Sequence, residues 1–207
     1  MLTSASADSK RHRGRSLLGP SPTPREAELL SVTLEVLHEI GYDKFTVDQV
    51  VARAHASKAT VYRRWPSKAE LVCAAFAYRI QGEHGLPPDT GCLRGDLLRL
   101  AEIIARDADE NGRTIAGILA AGDRSPELRE LLVNDLHSAR KEQIHGVLRR
   151  AVARGEISAE VISDDIWDVL PAYIMFRILQ HKRPVPAETL RAFIDEVMLP
   201  SLTRLPT

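Results

Sequence analysis

The chain has 207 residues, of which 44% are hydrophobic, so it can form one or two domains with a substantial core. Two cysteines are too few for a disulfide framework, and no apolar run approaches the ~20 residues that cross a bilayer, so we expect a cytoplasmic protein without membrane contact. The formal net charge is zero, but residues 1–80 hold 12 Lys/Arg against 8 Asp/Glu and residues 81–207 hold 16 against 20, an asymmetry expected where one end faces a polyanion.

Residues 1–22 are rich in Ser, Pro, Gly and basic side chains, and they lack a helical apolar period. This composition predicts a disordered segment. Its basic residues form an arm: Lys10, Arg11, Arg13 and Arg15. Such an arm either contacts DNA, along the phosphates or in the minor groove, or is a solvated tail, and the sequence favours neither alternative.

The first helix is predicted to begin at Thr23, because a capping Thr is followed there by Pro24 and by Glu26. Apolar residues recur on one face until Gly41, and glycine is typical of a helix end. We expect this helix to support the next two from behind.

Residues 46–65 contain two short helical patterns joined by a tight turn. Thr46 and Gln49 have the spacing of a capping box, and the apolar residues that follow share one helical face. The turn falls at residues 54–56, and Ser57 can cap the second helix. Two short helices in this layout predict a helix-turn-helix unit that binds DNA.

The second helix of this unit has two distinct faces. Val61 and Trp65 are four residues apart and are expected in the core. Ala59, Thr60 and Arg63 then lie on the opposite side, with Tyr62 at its edge. Small, hydroxyl and guanidinium groups on one face suit a major groove, where Arg pairs with the O6/N7 edge of guanine. An ordinary solvated face is the alternative.

A fourth helix is predicted to start after Pro66. Ser67 and Glu70 form a second capping box, and Lys68 lies in the first turn. Free N–H groups and the helix dipole favour an anion at this position, so Lys68 is either a DNA phosphate contact or an exposed surface lysine.

Residues 24–80 resemble the DNA-binding domain of the TetR family of transcriptional regulators. The matching segments are Gly41-Tyr42, Phe45-Thr46-Val47, Ser57-Lys58-Ala59-Thr60-Val61-Tyr62, Trp65-Pro66-Ser67-Lys68 and Glu70-Leu71. The resemblance implies phosphate contacts from Thr46, Tyr62 and Lys68. It also implies contacts to bases or to the DNA backbone from Ser57, Lys58, Ala59, Thr60 and Arg63.

One residue departs from the family pattern. His55 stands in the turn where the family usually has Gly. A positive φ is unfavourable for a residue other than Gly, although His tolerates it better than most. Either the turn differs slightly, or His55 itself contacts a phosphate.

The remainder of the chain is predicted to be helical. Pro and Gly cluster at residues 87–91, which divides the chain into a basic arm (1–22), a DNA-binding domain (23–86) and a regulatory and dimerisation domain (87–207). The later helices are expected at 93–109, 113–121, 125–154, 164–182 and 187–199. No alternating strand pattern occurs, so the fold class is all-α, with a three-helix N-terminal domain and about nine helices in all.

The sequence shows no pattern typical of an enzyme. Walker-type glycine loops, GxGxxG, GxSxG and HExxH are all missing. We therefore expect no catalytic residues, no cofactor and no metal site.

The last two predicted helices carry many apolar residues, among them Trp167, Tyr173, Phe176 and Val197. Either a second subunit covers part of this surface, which we favour, or one large core absorbs it. The TetR resemblance agrees with the homodimer, because in that family the last two helices of each subunit pair into a four-helix bundle.

The resemblance also implies an unknown small-molecule effector that binds among the middle helices and lowers DNA affinity. Weak candidates for its contacts are Ile104, Ile118, Leu132, Gln143, Met175, His137 and Arg140. The resulting prediction is a dimeric transcriptional regulator, more specifically a repressor, that binds a double-stranded DNA operator. The alternative is a small-molecule-binding or protein-interaction adaptor whose DNA helix is not functional.

Overall fold

The computed structural model describes residues 22–82, 88–132, 137–163 and 166–203, and the regular secondary structure in these ranges is helical. The helices are α1 (Pro24–Lys44), α2 (Val47–Arg53), α3 (Lys58–Arg64), α4 (Lys68–Gly82), α5 (Leu93–Gly122), α6 (Pro126–Leu131), α7 (His137–Ala153), α8 (Ile166–His181), α9 (Ala187–Phe193) and α10 (Leu199–Thr203). A π-helical turn, Ile194–Met198, joins α9 to α10 in one continuous run. The predicted all-α fold is confirmed. Residues 1–21 of the basic arm, and the predicted domain boundary between residues 86 and 87, lie outside the described residues.

Helix caps set several of the helix ends. Thr23 and Glu26 form the predicted capping box, with the Glu26 N–H donating to the Thr23 hydroxyl at 3.2 Å and the Thr23 N–H donating to the Glu26 carboxylate at 2.8 Å. Gly41 adopts a φ of 73°, which interrupts α1 one turn before its last residue. Gly155 follows α7 with a φ of 76°. Positive φ is inexpensive only for glycine, so α7 ends just before Gly155 as predicted, whereas α1 is interrupted at Gly41 but resumes to Lys44.

The buried apolar residues form two clusters. The first contains residues of α1, α2, α3 and α4. It extends onto the end of α5 and onto α6 through Ile118, Leu128 and Leu131. The second joins the first half of α5 to α7, α8, α9 and α10. Because α5 contributes to both clusters, the N-terminal helices pack directly against the rest of the chain.

The prediction of two helices at 93–109 and 113–121 is wrong. A single helix of 30 residues covers both, and it continues through the polar stretch at residues 109–113. Asn111 is buried there and donates to the Asp107 carbonyl at 3.1 Å. At Gly112, a Cβ would lie 3.4 Å from Ile178, so α8 approaches this part of α5 closely. Tertiary packing therefore keeps helical a segment whose composition favours a break.

Two other predicted helices differ in their ends. The helix predicted from Ser125 to Arg154 begins with the expected Ser125 cap and ends before Gly155, but residues 133–136 within it lie outside the described ranges. The last helical run continues past the predicted residue 199 to Thr203. Within the described part of the chain, no helix is both long enough and apolar enough to span a membrane.

Candidate nucleic-acid interface

Helix α1 holds the helix-turn-helix unit at two points. The guanidinium of Arg25 donates to the carbonyl of Ala54 at 2.6 Å and to that of His55 at 3.1 Å, which fixes the turn between α2 and α3. The guanidinium of Arg64, at the end of α3, donates to Glu26 at 2.9 Å. This role of Arg25 was not predicted. The only sign of it in the sequence is a basic residue at the start of the supporting helix.

The turn has the backbone geometry that glycine would favour. His55 has a φ of 47° and an exposed side chain. The N–H of Ala56 donates to the Val51 carbonyl at 3.0 Å and closes the turn. His55 therefore has the positive φ that is unfavourable for a residue other than glycine.

Helix α3 is oriented as the sequence predicts. Val61 and Trp65 are buried, with 0% and 2% of their surfaces exposed. Ala59 and Arg63 are exposed, Tyr62 is exposed at 44%, and Thr60 is half-buried. The face that carries Ala59, Tyr62 and Arg63 is therefore free of contact with the described core. We call it the reading face.

The start of α3 is fixed by its own side chains. The hydroxyl of Ser57 accepts a hydrogen bond from the Thr60 N–H at 3.1 Å, as expected of a helix cap. The two hydroxyl oxygens lie 2.8 Å apart, and either can donate to the other. One hydroxyl proton of the pair thus remains available to an acceptor such as a phosphate oxygen.

Two predicted contact residues border the reading face. Lys58 forms an ion pair with Asp48 of α2 at 2.8 Å, and both side chains are 61% exposed. The hydrogen bond that Lys58 donates to the Asp48 carboxylate raises the pKa of Lys58, so the ammonium stays charged. At the start of α2, the carboxamide oxygen of Gln49 accepts from the backbone N–H of Thr46 at 2.8 Å and from its hydroxyl at 3.0 Å. Both residues are exposed and lie beside α3.

Lys68 is tied to the end of α1. Its ammonium donates to the Tyr42 carbonyl at 2.6 Å and lies 4.2 Å from the centre of the Tyr42 ring. Burial lowers the pKa of Lys68, and burial also raises the pKa of Tyr42 to about 12. The bond to Tyr42 uses one of the three ammonium protons. A phosphate contact and an exposed lysine were the two alternatives predicted for Lys68, and neither includes this internal contact.

Comparison with known proteins agrees with this geometry. Residues 29–75 match the family model described as bacterial regulatory proteins of the tetR family, and residues 87–197 match the model of the tetracyclin repressor-like C-terminal domain. The chain belongs to the TetR family. As a TetR-family protein it is a DNA-binding transcriptional regulator with a helix-turn-helix motif.

Similar proteins support the same assignment. An uncharacterised HTH-type transcriptional regulator of Mycobacterium tuberculosis (strain H37Rv) is 53% identical over 186 residues, which cover 89% of this chain and 92% of the relative. The DNA-binding transcriptional repressor TetR of Mycobacteroides abscessus is 35% identical over 84% of this chain and 92% of its own length.

Solved structures share the fold. A TetR family transcription regulator has a TM-score of 0.71 at 24% identity and covers 88% of this chain and 100% of its own. The multidrug binding protein EbrR in complex with proflavin has a TM-score of 0.51 at 17% identity and covers 86% and 99%.

The TetR-family chain contains a cavity of about 290 Å³ between α4, α5, α7 and α8. Of the residues weighed as effector contacts, Ile104, Leu132, Met175 and Arg140 line it. Ile118 belongs to the N-terminal core, and the side chain of His137 lies outside the described residues. Gln143 is buried and donates to the Ile80 carbonyl at 2.5 Å.

The surface of α8 and of the last helical run has exposed apolar side chains. Phe176 is exposed at 63%, and Leu179 and Val197 are each exposed at 44%. Most of the other apolar residues on these helices are buried in the chain's own core, and Tyr173 stacks on Phe193 at 3.9 Å between ring centres. The chain's own core therefore buries more of the apolar residues of these helices than was predicted. Phe176 and Leu179 of α8 and Val197 of the last helical run remain exposed, and we call these three side chains the apolar patch.

Proposed function

We propose that the protein is a homodimeric repressor that a small organic effector releases from a double-stranded DNA operator. The observation that carries the proposal is the orientation of α3. Val61 and Trp65 anchor the helix, and Arg63 and Ala59 point away from the core. A helix presented in this way can enter a major groove with its side chains directed at base edges.

The DNA contacts divide into two kinds. Base recognition is assigned to Arg63 and Ala59 on the reading face and to the half-buried Thr60 beside it. Phosphate contacts are assigned to Thr46, Tyr62 and Lys68, and contacts at the helix start to Ser57 and Lys58. All eight residues belong to α2, α3, α4 or their caps, so one rigid unit carries them.

A second copy of the chain is the proposed occupant of the apolar patch. Phe176 and Leu179 lie on α8, and Val197 lies in the π turn of the last run. A homodimer would bury them and would also supply a second reading face. We then expect a near-palindromic operator with half-sites about one helical turn, ~34 Å, apart or somewhat more.

Helix α4 gives the effector a direct route to the DNA-binding unit. Phe76, Arg79 and Ile80 line the cavity at one end of α4, and Lys68 fixes the Tyr42 carbonyl at its other end. A ligand releases DNA only if it binds one spacing of the two reading faces more tightly than the other. The solved complex of EbrR with proflavin is consistent with a ligand site in this fold.

DNA selection tests the proposal. The protein is incubated with a random duplex pool, the retained sequences are determined, and affinity for the selected duplex is measured against salt. We expect a near-palindrome whose affinity falls steeply as salt rises, because phosphate contacts release counterions. Equal affinity for selected and random duplexes would contradict the proposal and favour the adaptor alternative.

Dimerisation is tested separately by sedimentation of the full chain. Phe176→Glu should shift the protein toward monomer, because a charge would be buried at the interface. Ser31→Glu, which adds the same charge at an exposed residue of α1, serves as the control. An unchanged dimer in the Phe176 variant would remove the apolar patch as the interface.

We propose no catalytic activity for this regulator. Operator DNA lies in the bacterial cytoplasm, so we expect the protein to act there.

A further inference from the structure

Four of the polar side chains that line the cavity lie together on α4, α5 and α7. Asp107 and Asn111 are one turn apart on α5, Arg79 faces them from α4, and Arg140 faces them from α7. The remaining walls are mostly apolar and include Phe76, Ile104, Trp167 and Met175. We call the group of Arg79, Asp107, Asn111 and Arg140 the polar floor.

The carboxylate of Asp107 lies between the two guanidiniums of the polar floor. Arg140 contacts Asp107 at 3.2 Å, and Arg79 lies 3.7 Å from it, beyond hydrogen-bond distance. The three side chains are exposed by only 8–17%. Arg79 also contacts Glu110, but that carboxylate is 51% exposed and lies toward solvent. Among the described side chains buried in the polar floor, positive charge therefore exceeds negative charge.

The remaining acidic residue on the cavity wall does not alter this balance at the floor. Asp168 of α8 lines the cavity, and its side chain is exposed to solvent. Exposed charges are screened by water and ions far more than buried ones. Burial lowers the pKa of Arg140 even though Asp107 opposes that effect, so the neighbouring carboxylate compensates only part of the cost of burying this cation.

We propose that the effector is a small organic acid, with its carboxylate on Arg140 and Arg79 and its apolar body against Phe76, Ile104, Trp167 and Met175. This inference rests on the proposed effector site and adds the chemistry of its ligand. The planar guanidinium of Arg140 suits a carboxylate, and a low dielectric strengthens the contact. The cavity, about 290 Å³, is at the lower end of the usual range for ligand pockets, so the acid has a compact body of one or two rings or an equivalent chain.

Three probes with the same ring system show whether ligand charge or apolar contact determines the affinity. Calorimetry measures the binding of 2-naphthoate, 2-naphthamide and 2-naphthylmethylamine to the full chain. These are an anion, a neutral molecule and a cation with the same ring system. We expect the acid to bind at least ten-fold more tightly than the amide and the amine. Equal affinities, tighter binding of the amine, or no binding of the acid at millimolar concentration would each overturn the proposal.

Two variants locate the anion contact. Arg140→Gln should reduce the preference for acid over amide to less than three-fold, and Arg99→Gln, an exposed α5 arginine, should leave it unchanged. Asp107→Asn should increase thermal stabilisation by 2-naphthoate, because the ligand's carboxylate replaces the missing charge. An unchanged preference in Arg140→Gln, or a smaller stabilisation in Asp107→Asn, would contradict the assignment. A residue that only supports the fold would weaken acid and amide alike.

Different measurements test the proposal of an organic-acid effector and the proposal of a repressor. Charge selectivity is measured by calorimetry without DNA, whereas operator binding is measured without ligand. Operator binding together with equal acid and amide affinities would reject the organic acid and leave the repressor intact. Acid selectivity without operator binding would support the organic acid and reject the repressor.

Discussion

The reading face and the polar floor use charged side chains under opposite conditions. On the reading side, Lys58 and Asp48 form an ion pair with both side chains 61% exposed. In the polar floor, Arg140 and Asp107 form a pair exposed by only 14% and 8%. When the exposed pair loses one partner, water solvates the charge that remains. Water cannot solvate the charge that remains in the buried pair. The exposed charges are therefore free to exchange partners with DNA, and the buried ones are committed to the fold or to a ligand.

The largest difference should appear between a buried and an exposed acidic partner of the arginines in the polar floor. Asp107→Ala leaves Arg140 buried beside Arg79 without the carboxylate between them, and we expect a loss of about 3–5 kcal/mol in the free energy of unfolding. Glu110→Ala, which removes the exposed acidic partner of Arg79, should lose less than about 1 kcal/mol. Chemical denaturation measures both. Equal losses would mean that burial does not separate the two kinds of pair.

Arg63→Ala examines the reading face in the same way. We expect a loss of about 1–3 kcal/mol in binding to the selected operator, which corresponds to roughly five- to 150-fold in affinity. Affinity for random duplexes should fall much less, and unfolding should not change because Arg63 is exposed. Fluorescence anisotropy supplies the affinities, and Arg99→Ala on α5 is the control. A parallel loss on random DNA would assign Arg63 to phosphate contact instead of base recognition.

His55→Gly distinguishes the two interpretations of the turn. A left-handed conformation costs a residue other than Gly about 1–2 kcal/mol, and Gly adds about 0.5–1 kcal/mol of unfolded-state entropy. We therefore expect a gain of about 0.5–1 kcal/mol in stability with operator affinity unchanged. Weaker binding to every duplex would show that His55 contacts a phosphate.

Asp48→Asn should have the smallest effect. Because Lys58 and Asp48 are both well exposed, we expect no measurable change in unfolding. Release of Lys58 should slightly increase DNA affinity at low salt, and the increase should vanish at high salt. A clear loss of stability would mean that the exposed pair resembles the buried one more than its accessibility suggests.

Local patterns predicted the DNA-binding unit well. The Ser57 cap, the buried Val61 and Trp65, and the positive φ at His55 depend on residues only a few positions apart, and all four are found. The contacts of Arg25 with the turn and of Lys68 with Tyr42 span 26–30 residues, and local patterns carry no information about them. Whether Thr46, Ser57, Lys58, Ala59, Thr60, Tyr62, Arg63 and Lys68 touch DNA remains a prediction.

The sequence by itself determined the all-α fold class, several helix caps, the outward side of α3 and the family of the chain, because capping and apolar periodicity act within one or two turns. Only the tertiary structure decided that α5 continues through Asn111 and Gly112, and that Arg79 and Arg140 share Asp107. Those outcomes depend on α4, α7 and α8 meeting at the middle of α5. Residues so distant in the chain affect one another's burial and charge only after the helices have packed.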